Sequence, residues 1–162
     1  GGEIFTALQT GSIDAAEWVS PYNDQAMGLQ QAARYYYYPG WQEPGPAIEC
    51  IVNREAWMSL PTNLQAVVRI ACQASVLDMT SEFMARNAQA LQQLMAEGNI
   101  ELREYSQPLL TELKKITFEV VEELAADNSQ FAKVWESYRT FMESSRGWQA
   151  ISEQSYLSTQ EL

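Results

Sequence analysis

The order of apolar patterns and turn signals predicts an α/β fold with an excess of helix. Three observations carry that expectation. Residues 34–38, RYYYY, and residues 47–53, AIECIVN, are rich in the aromatic and β-branched residues that suit a pleated, half-buried surface. Apolar residues then recur at helical spacing from Leu64 through Val67, Val68, Ala71, Cys72 and Met79 to Phe83, and nothing breaks the pattern before Gly98. Only about four strands are visible in that order, few for a full doubly wound sheet.

Taken in order, residues 3–10 form a short helix closed by Gly11. Residues 13–19, IDAAEWV, read as a weak strand, because alanine is a poor strand former. In SPYNDQAMGLQQAA, Pro21 sits near a helix start, and the pattern suits a helix to about residue 32. The tyrosine strand follows. PGWQEPGP, residues 39–46, is a loop by its turn chemistry. After the strand at 47–53, Asn53 can cap a short helix that Pro61 stops. Thr62 and Gln65 form a capping-box pattern. The helix they open would run about 35 residues, or about 50 Å at 1.5 Å per residue.

GNIELREY, from Gly98, is a turn and a short strand, and SQP opens the next helix. Leu109, Leu113, Ile116, Val120 and Leu124 form its buried stripe, while Glu112, Glu119, Glu122 and Glu123 take its outer face. ADNS interrupts it. A last helix carries Phe131, Val134, Trp135, Tyr138, Phe141, Met142 and Trp148 on one face, with Gly147 as a kink point.

Composition narrows the chemistry. The chain has 162 residues, enough for one domain or two small lobes. With 21 acidic against 10 basic residues its net charge is −11, and no basic block exists, so a nucleic-acid partner is excluded. No apolar run approaches the roughly 20 residues of a membrane span. The first residues show neither a basic segment nor a long apolar run, so no signal peptide is expected within the chain. Ile4, Phe5 and Leu8 make a helical stripe with little chain before it to pack against, which points to a piece of a longer protein. Histidine is absent, which removes the serine and cysteine triads, the zinc helix and histidine bases. Cys50 and Cys72 lie among apolar neighbours and read as buried thiols, with a single bridge as the alternative.

Three places hold candidate chemistry. Glu17-Trp18 and Trp41-Gln42-Glu43 each follow an expected strand, and ligands of α/β sheets bind beyond the carboxyl ends of strands. Two such loops facing one crevice would each supply a carboxylate and an indole. Carboxylate and carbonyl oxygens suit Na⁺ or Ca²⁺, and an indole walls a small organic ligand. From the residues alone, the tryptophans also fit a core and the glutamates a solvated rim. A general acid and base pair is a further reading, unsupported by any accompanying catalytic group. The third place is the aromatic last helix, which either lies across the rest of the chain or packs on another subunit.

GGEIFTALQTGSIDAAEWVSPYND, RYYYYPGWQEPG, CIVNREAWMSLPTNLQAVV and GNIELREYS occur in this order. Together they resemble the C-terminal half of the extracytoplasmic solute-binding proteins of TRAP transporters, in the branch that binds 2-oxo acids or related monocarboxylates. The resemblance covers essentially the whole chain. It implies the C-terminal part of a two-lobed periplasmic-binding (type II) fold, with a long lobe-spanning helix and an extended C-terminal helix. Residues 1–16 and 54–127 would belong to the second lobe, 17–53 to the first with the ligand and cation loops, and 128–162 to a helix that exchanges between subunits of a homodimer.

The resemblance also implies a periplasmic protein, with a signal peptide upstream of this chain, that captures a small carboxylate without turnover. It would deliver that solute to a membrane permease. The bridging Na⁺ or Ca²⁺ would be held by Glu17, Glu43 and the Trp18 carbonyl, and the ligand by Glu17, Trp18, Asn23 and Trp41. Such a cation reverses the repulsion that two glutamates would exert on an anion. The arginine that clamps the ligand in that family has no counterpart here, since Arg34 reads as structural. A helical dimerisation module without a small ligand is the alternative.

Overall fold

A parallel pair of strands and one very long helix organise the first of two units. The computed structural model describes residues 1–43, 45 and 48–161 and divides into residues 1–105 and 106–162. The first unit holds α1 (Ile4–Gln9), α2 (Pro21–Ala26), a 3-10 turn (Leu29–Gln31), β1 (Tyr35–Tyr38), α3 (Arg54–Ser59), α4 (Thr62–Ala96) and β2 (Glu101–Glu104). The second holds α5 (Gln107–Asp127), α6 (Ser129–Ile151), α7 (Glu153–Ser158) and a final 3-10 turn (Thr159–Glu161). No helix among the described residues is long and apolar enough to cross a membrane.

β1 and β2 pair parallel, from Tyr35 opposite Glu101 to Tyr38 opposite Glu104. Side chains reinforce the register. Glu101 takes Arg34 on one carboxylate oxygen and Arg103 on the other, the latter at 2.8 Å. Those contacts, Arg103 foremost, hold the Glu101 carboxyl below the usual range. The Arg103 guanidinium also covers the Tyr35 ring at 3.9 Å, and Tyr37 stacks on Tyr105.

The other two expected strands do not form. Residues 15–18 and 48–53 have no regular secondary structure, and Ile51 is 90% exposed. A strand exists only with a hydrogen-bonded neighbour, and the sheet has two strands. Near the first of these segments, the Val19 N–H that a ladder would use donates instead to Asp24 Oδ1 at 3.4 Å. The expected loop at 39–46 is irregular over its described part; Pro44, Pro46 and Ala47 lie outside the described residues.

The short helices obey local rules. Gly11 closes α1 at φ 70°. Pro21 starts α2, which ends at Ala26 rather than near residue 32 because Gly28 turns left-handed at φ 72°. Asn53 Oδ1 accepts from Glu55 N and Ala56 N and so caps α3 as expected.

α4 has the expected 35 residues. Its capping box is absent, however: the helix begins after Pro61. Gln65 Nε2 donates to the carbonyls of Trp57 and Leu60 at 3.0 and 3.1 Å, which satisfies the end of α3. α2 docks near the far end of α4. Tyr22 meets Phe83 edge to face at 5.9 Å, Tyr22 N donates to Asn87 Oδ1, and Gln25 Nε2 donates to Gln93 Oε1. The fully buried apolar side chains, Ala90 and Leu94, lie in this stretch. Of the stripe read from the sequence, Leu64, Val67, Ala71 and Met79 are exposed, so it is only partly a core. Cys50 is exposed and Cys72 half-buried, against the expectation of two buried thiols.

In the second unit α5 and α6 form a helical hairpin about Asn128, whose Oδ1 accepts from Gln130 N and Phe131 N. Trp135 packs on Phe118 and donates its indole N–H to Glu122 Oε1 at 2.9 Å, so Glu122 faces α6 rather than solvent alone. α6 runs through Gly147, and the break falls at Ser152 instead. Four of the five residues of the stripe expected to be buried on α5, Leu109, Ile116, Val120 and Leu124, are exposed, and so are Tyr138, Phe141 and Trp148 on α6, Phe141 by 72%.

Asn128→Ala is expected to destabilise the hairpin by about 1 kcal/mol, the usual value of such a cap, read as a lower urea midpoint. An unchanged midpoint would show that water replaces the cap without loss.

Candidate functional site

The buried polar side chain among the described residues is Asp24, on α2. Its Oδ2 accepts from the Tyr36 hydroxyl on β1, and its Oδ1 from the Val19 N–H. Burial pushes the Asp24 carboxyl above its ordinary value of 3.8, with the hydrogen bonds to Tyr36 and the backbone opposing the rise. Burial, with Asp24 beside it, pushes the Tyr36 hydroxyl above its own range. The sequence reading passed over Asp24. Its signal was an acid in the first turn of a proline-started helix, which reads equally well as a complement to the helix dipole.

Asp24 joins the roots of both candidate loops. Val19 directly follows Glu17-Trp18, and Tyr36 lies on the strand that leads through the cis Tyr38–Pro39 bond to Trp41 and Glu43. Glu17 is exposed in the irregular segment before α2, not at a strand end. Trp18 is half-buried against Gly1: its Cη2 lies 2.8 Å from where a β-carbon on that glycine would stand. Asn23 is half-buried on α2 and accepts from Ser20 Oγ at 3.3 Å. Trp41 and Glu43 are exposed after β1, and the Glu43 carbonyl turns back to within 3.0 Å of the β-carbon position of Gly40.

The structure thus joins Trp18 to Gly1, and the segment after Trp18 to α2 and β1. Direct contact between Glu17 and Glu43 is not among the interactions of the described residues. No group of three or more cysteine, aspartate or glutamate side chains suited to a metal forms among those residues, whereas the expected set has two carboxylates and one carbonyl. Neither Glu17 nor Glu43 enters an ion pair there. Their oxygens are hard donors, of the kind that takes Na⁺ or Ca²⁺ and not a soft metal.

As the Asp24 carboxyl is raised in the folded chain, the stability it contributes is complete below the ordinary carboxylate value and is lost as pH rises through the elevated one. The stability difference between the parent chain and Asp24→Asn should therefore shift in favour of the variant from acidic to neutral pH. Urea unfolding at several pH values measures this, and parallel profiles would contradict it.

Known proteins bear on this arrangement. Residues 1–128 match the model of bacterial extracellular solute-binding protein family 7. The chain is 42% identical over 156 residues to a monocarboxylate 2-oxoacid-binding periplasmic protein of Nostoc sp., covering 96% of this chain and 43% of that protein. A TRAP transporter solute-binding protein from Bordetella bronchiseptica has a TM-score of 0.94 at 33% identity, over 98% of this chain and 47% of that one. It is a mixed-occupancy dimer with copurified calcium and picolinate in one active site. A TRAP periplasmic solute-binding protein from Pseudoalteromonas atlantica, with bound sodium and pyruvate, has a TM-score of 0.90 at 36% identity, over 96% and 47%. The chain spans about half the length of these relatives. With more than three quarters of its residues under the family model and this agreement of fold, the chain belongs to bacterial extracellular solute-binding protein family 7.

Proposed function

We propose that this chain supplies the cation-holding part of a periplasmic TRAP solute-binding protein, which captures a small organic carboxylate such as a 2-oxo acid and passes it to a membrane permease. The observation that carries the reading is the agreement of fold with proteins that hold calcium or sodium together with picolinate or pyruvate. Both ligands are small carboxylates, and each protein binds its anion along with a cation. The Nostoc relative, described by the same class of ligand, supports the same reading.

In this chain Glu17, Glu43 and the Trp18 carbonyl hold the cation. Trp18, Trp41 and Asn23 form the wall and polar edge of the ligand pocket. The cation supplies the positive charge that an anionic ligand needs beside two glutamates. Asp24 ties the roots of the two loops together through the Val19 N–H and the Tyr36 hydroxyl, and neither Glu17 nor Glu43 enters an ion pair among the described residues. Nothing in this constellation calls for turnover, and the activity is binding. Residues 17–53 belong to one lobe of the binding protein and 1–16 with 54–127 to the other. The remaining ligand contacts come from chain beyond these residues.

The exposed aromatic face of α6 supports a homodimer formed through residues 128–162. Trp135 is a poor probe of that surface because it already packs on α5. Phe141 is the better one.

In the full-length protein, calorimetric titration with pyruvate should show binding in the presence of Ca²⁺ or Na⁺, lost on chelation and dialysis. Glu17→Gln and Glu43→Gln should each weaken it by more than about tenfold, or about 1.4 kcal/mol. Undiminished binding in both variants would refute the cation bridge. The 162-residue chain alone should show no micromolar affinity for pyruvate. Phe141→Glu should shift the full-length protein from dimer to monomer in sedimentation while leaving pyruvate affinity intact; a dimer that persists would exclude this face as the interface.

A further inference from the structure

The Val19 N–H that donates to Asp24 Oδ1 and the Trp18 carbonyl belong to one peptide unit. The cis bond among the described residues is Tyr38–Pro39, so the Trp18–Val19 unit is trans. In a planar trans peptide the N–H and the C=O point in opposite directions. Aiming the N–H at Asp24 therefore aims the Trp18 oxygen away from it. That oxygen is one of the three groups proposed above for the cation. We propose that Asp24 and Tyr36 are positioning residues for the Trp18 carbonyl: the Tyr36 hydroxyl orients the Asp24 carboxylate, and the carboxylate fixes the peptide whose oxygen faces the cation. This inference rests on the cation reading and deepens it.

Both ends of the brace are anchored. α2 is pinned to α4 by Tyr22 N, which donates to Asn87 Oδ1 at 3.0 Å, and by the Arg86 guanidinium 5.5 Å from the centre of the Tyr22 ring. Tyr36 sits opposite Leu102 in the β1–β2 ladder. Its hydroxyl takes Asp24 Oδ2, which leaves Oδ1 for Val19. Asp24 is 8% exposed, so little water competes for either oxygen. The segment held in this way has few other fastenings. The Trp18 ring rests against Gly1, but residues 14–18 make none of the hydrogen bonds formed among the described residues. A peptide whose N–H donates to a carboxylate is also polarised, and its oxygen becomes a better ligand for a hard cation.

The test uses the full-length protein, with pyruvate and Ca²⁺ as probes, or Na⁺ where the parent answers to sodium alone. Tyr36→Phe keeps the ring and removes the hydroxyl. It should weaken cation binding at saturating pyruvate by about fivefold, the scale of one hydrogen bond. Pyruvate affinity should fall at low cation and return at saturating cation, because the hydroxyl does not hold the wall of Trp18, Trp41 and Asn23. Asp24→Ala should lose more. Asp24→Asn should recover most of that loss, since its amide oxygen can accept from Val19 and its amide N–H can donate to the Tyr36 oxygen. In the unloaded protein, hydrogen exchange at the Val19 amide should be faster in Tyr36→Phe and Asp24→Ala than in the parent and Asp24→Asn. Equal cation affinity and equal Val19 exchange in the parent and Tyr36→Phe would overturn the positioning role and leave the cation reading standing. So would a loss of pyruvate affinity that saturating cation does not restore. A parent protein whose pyruvate binding ignores both cations would overturn the reading and this inference together.

Discussion

Asp24 is the constraint on which the first unit depends. A carboxylate out of water costs several kcal/mol unless donors meet it, and here they come from both sides of α2. The backbone of Val19 approaches from the segment before the helix and the hydroxyl of Tyr36 from the strand after it. A helix of six residues would not hold its place by propensity. Held by Asp24 at its centre and by Tyr22 on α4, it becomes the post from which the Glu17 and Glu43 loops depart. Among 21 acidic residues this one works inward. Glu17 and Glu43, proposed for the cation, stay outside, unengaged by any arginine or lysine of the described residues.

The long helix is the second organising element, and its burial is lopsided. Packing from α2 covers the stretch around Ala90 and Leu94, with Leu94 2% exposed, while Val67 and Ile70 face outward. The two-stranded parallel sheet is likewise open, although parallel sheets in α/β proteins are covered on both faces. A surface of this composition has the character of an interior, and the relatives that match this fold are about twice as long.

Helices proved legible in the sequence, and half of the strands did not. Asn53 capping α3 and the start of α5 within SQP both depend on residues within one turn of each other. Residues 13–19 and 47–53 have strand-like composition, but a ladder needs a neighbour remote in sequence. Gln65 shows the same limit on a smaller scale. Its spacing from Thr62 matched a capping box, yet the carbonyls of Trp57 and Leu60 were better placed acceptors for its amide. The residues proposed for the cation come from a motif resemblance, whereas Asp24 was missed because an exposed acid and a buried one look alike until the strand bearing Tyr36 is folded over it.

By itself the sequence determined the helices, the absence of histidine chemistry, the acidic surface and the family, because each of these is written in local pattern, composition or motif order. Tertiary structure alone decided which stretch of α4 is buried, which expected strands find a partner, and that the strand bearing Tyr36 closes on Asp24. The physical reason is common to all three. Each is a contact between groups separated by at least ten residues, and the free energy of such a contact depends on the position of both partners, which no single stretch of chain specifies.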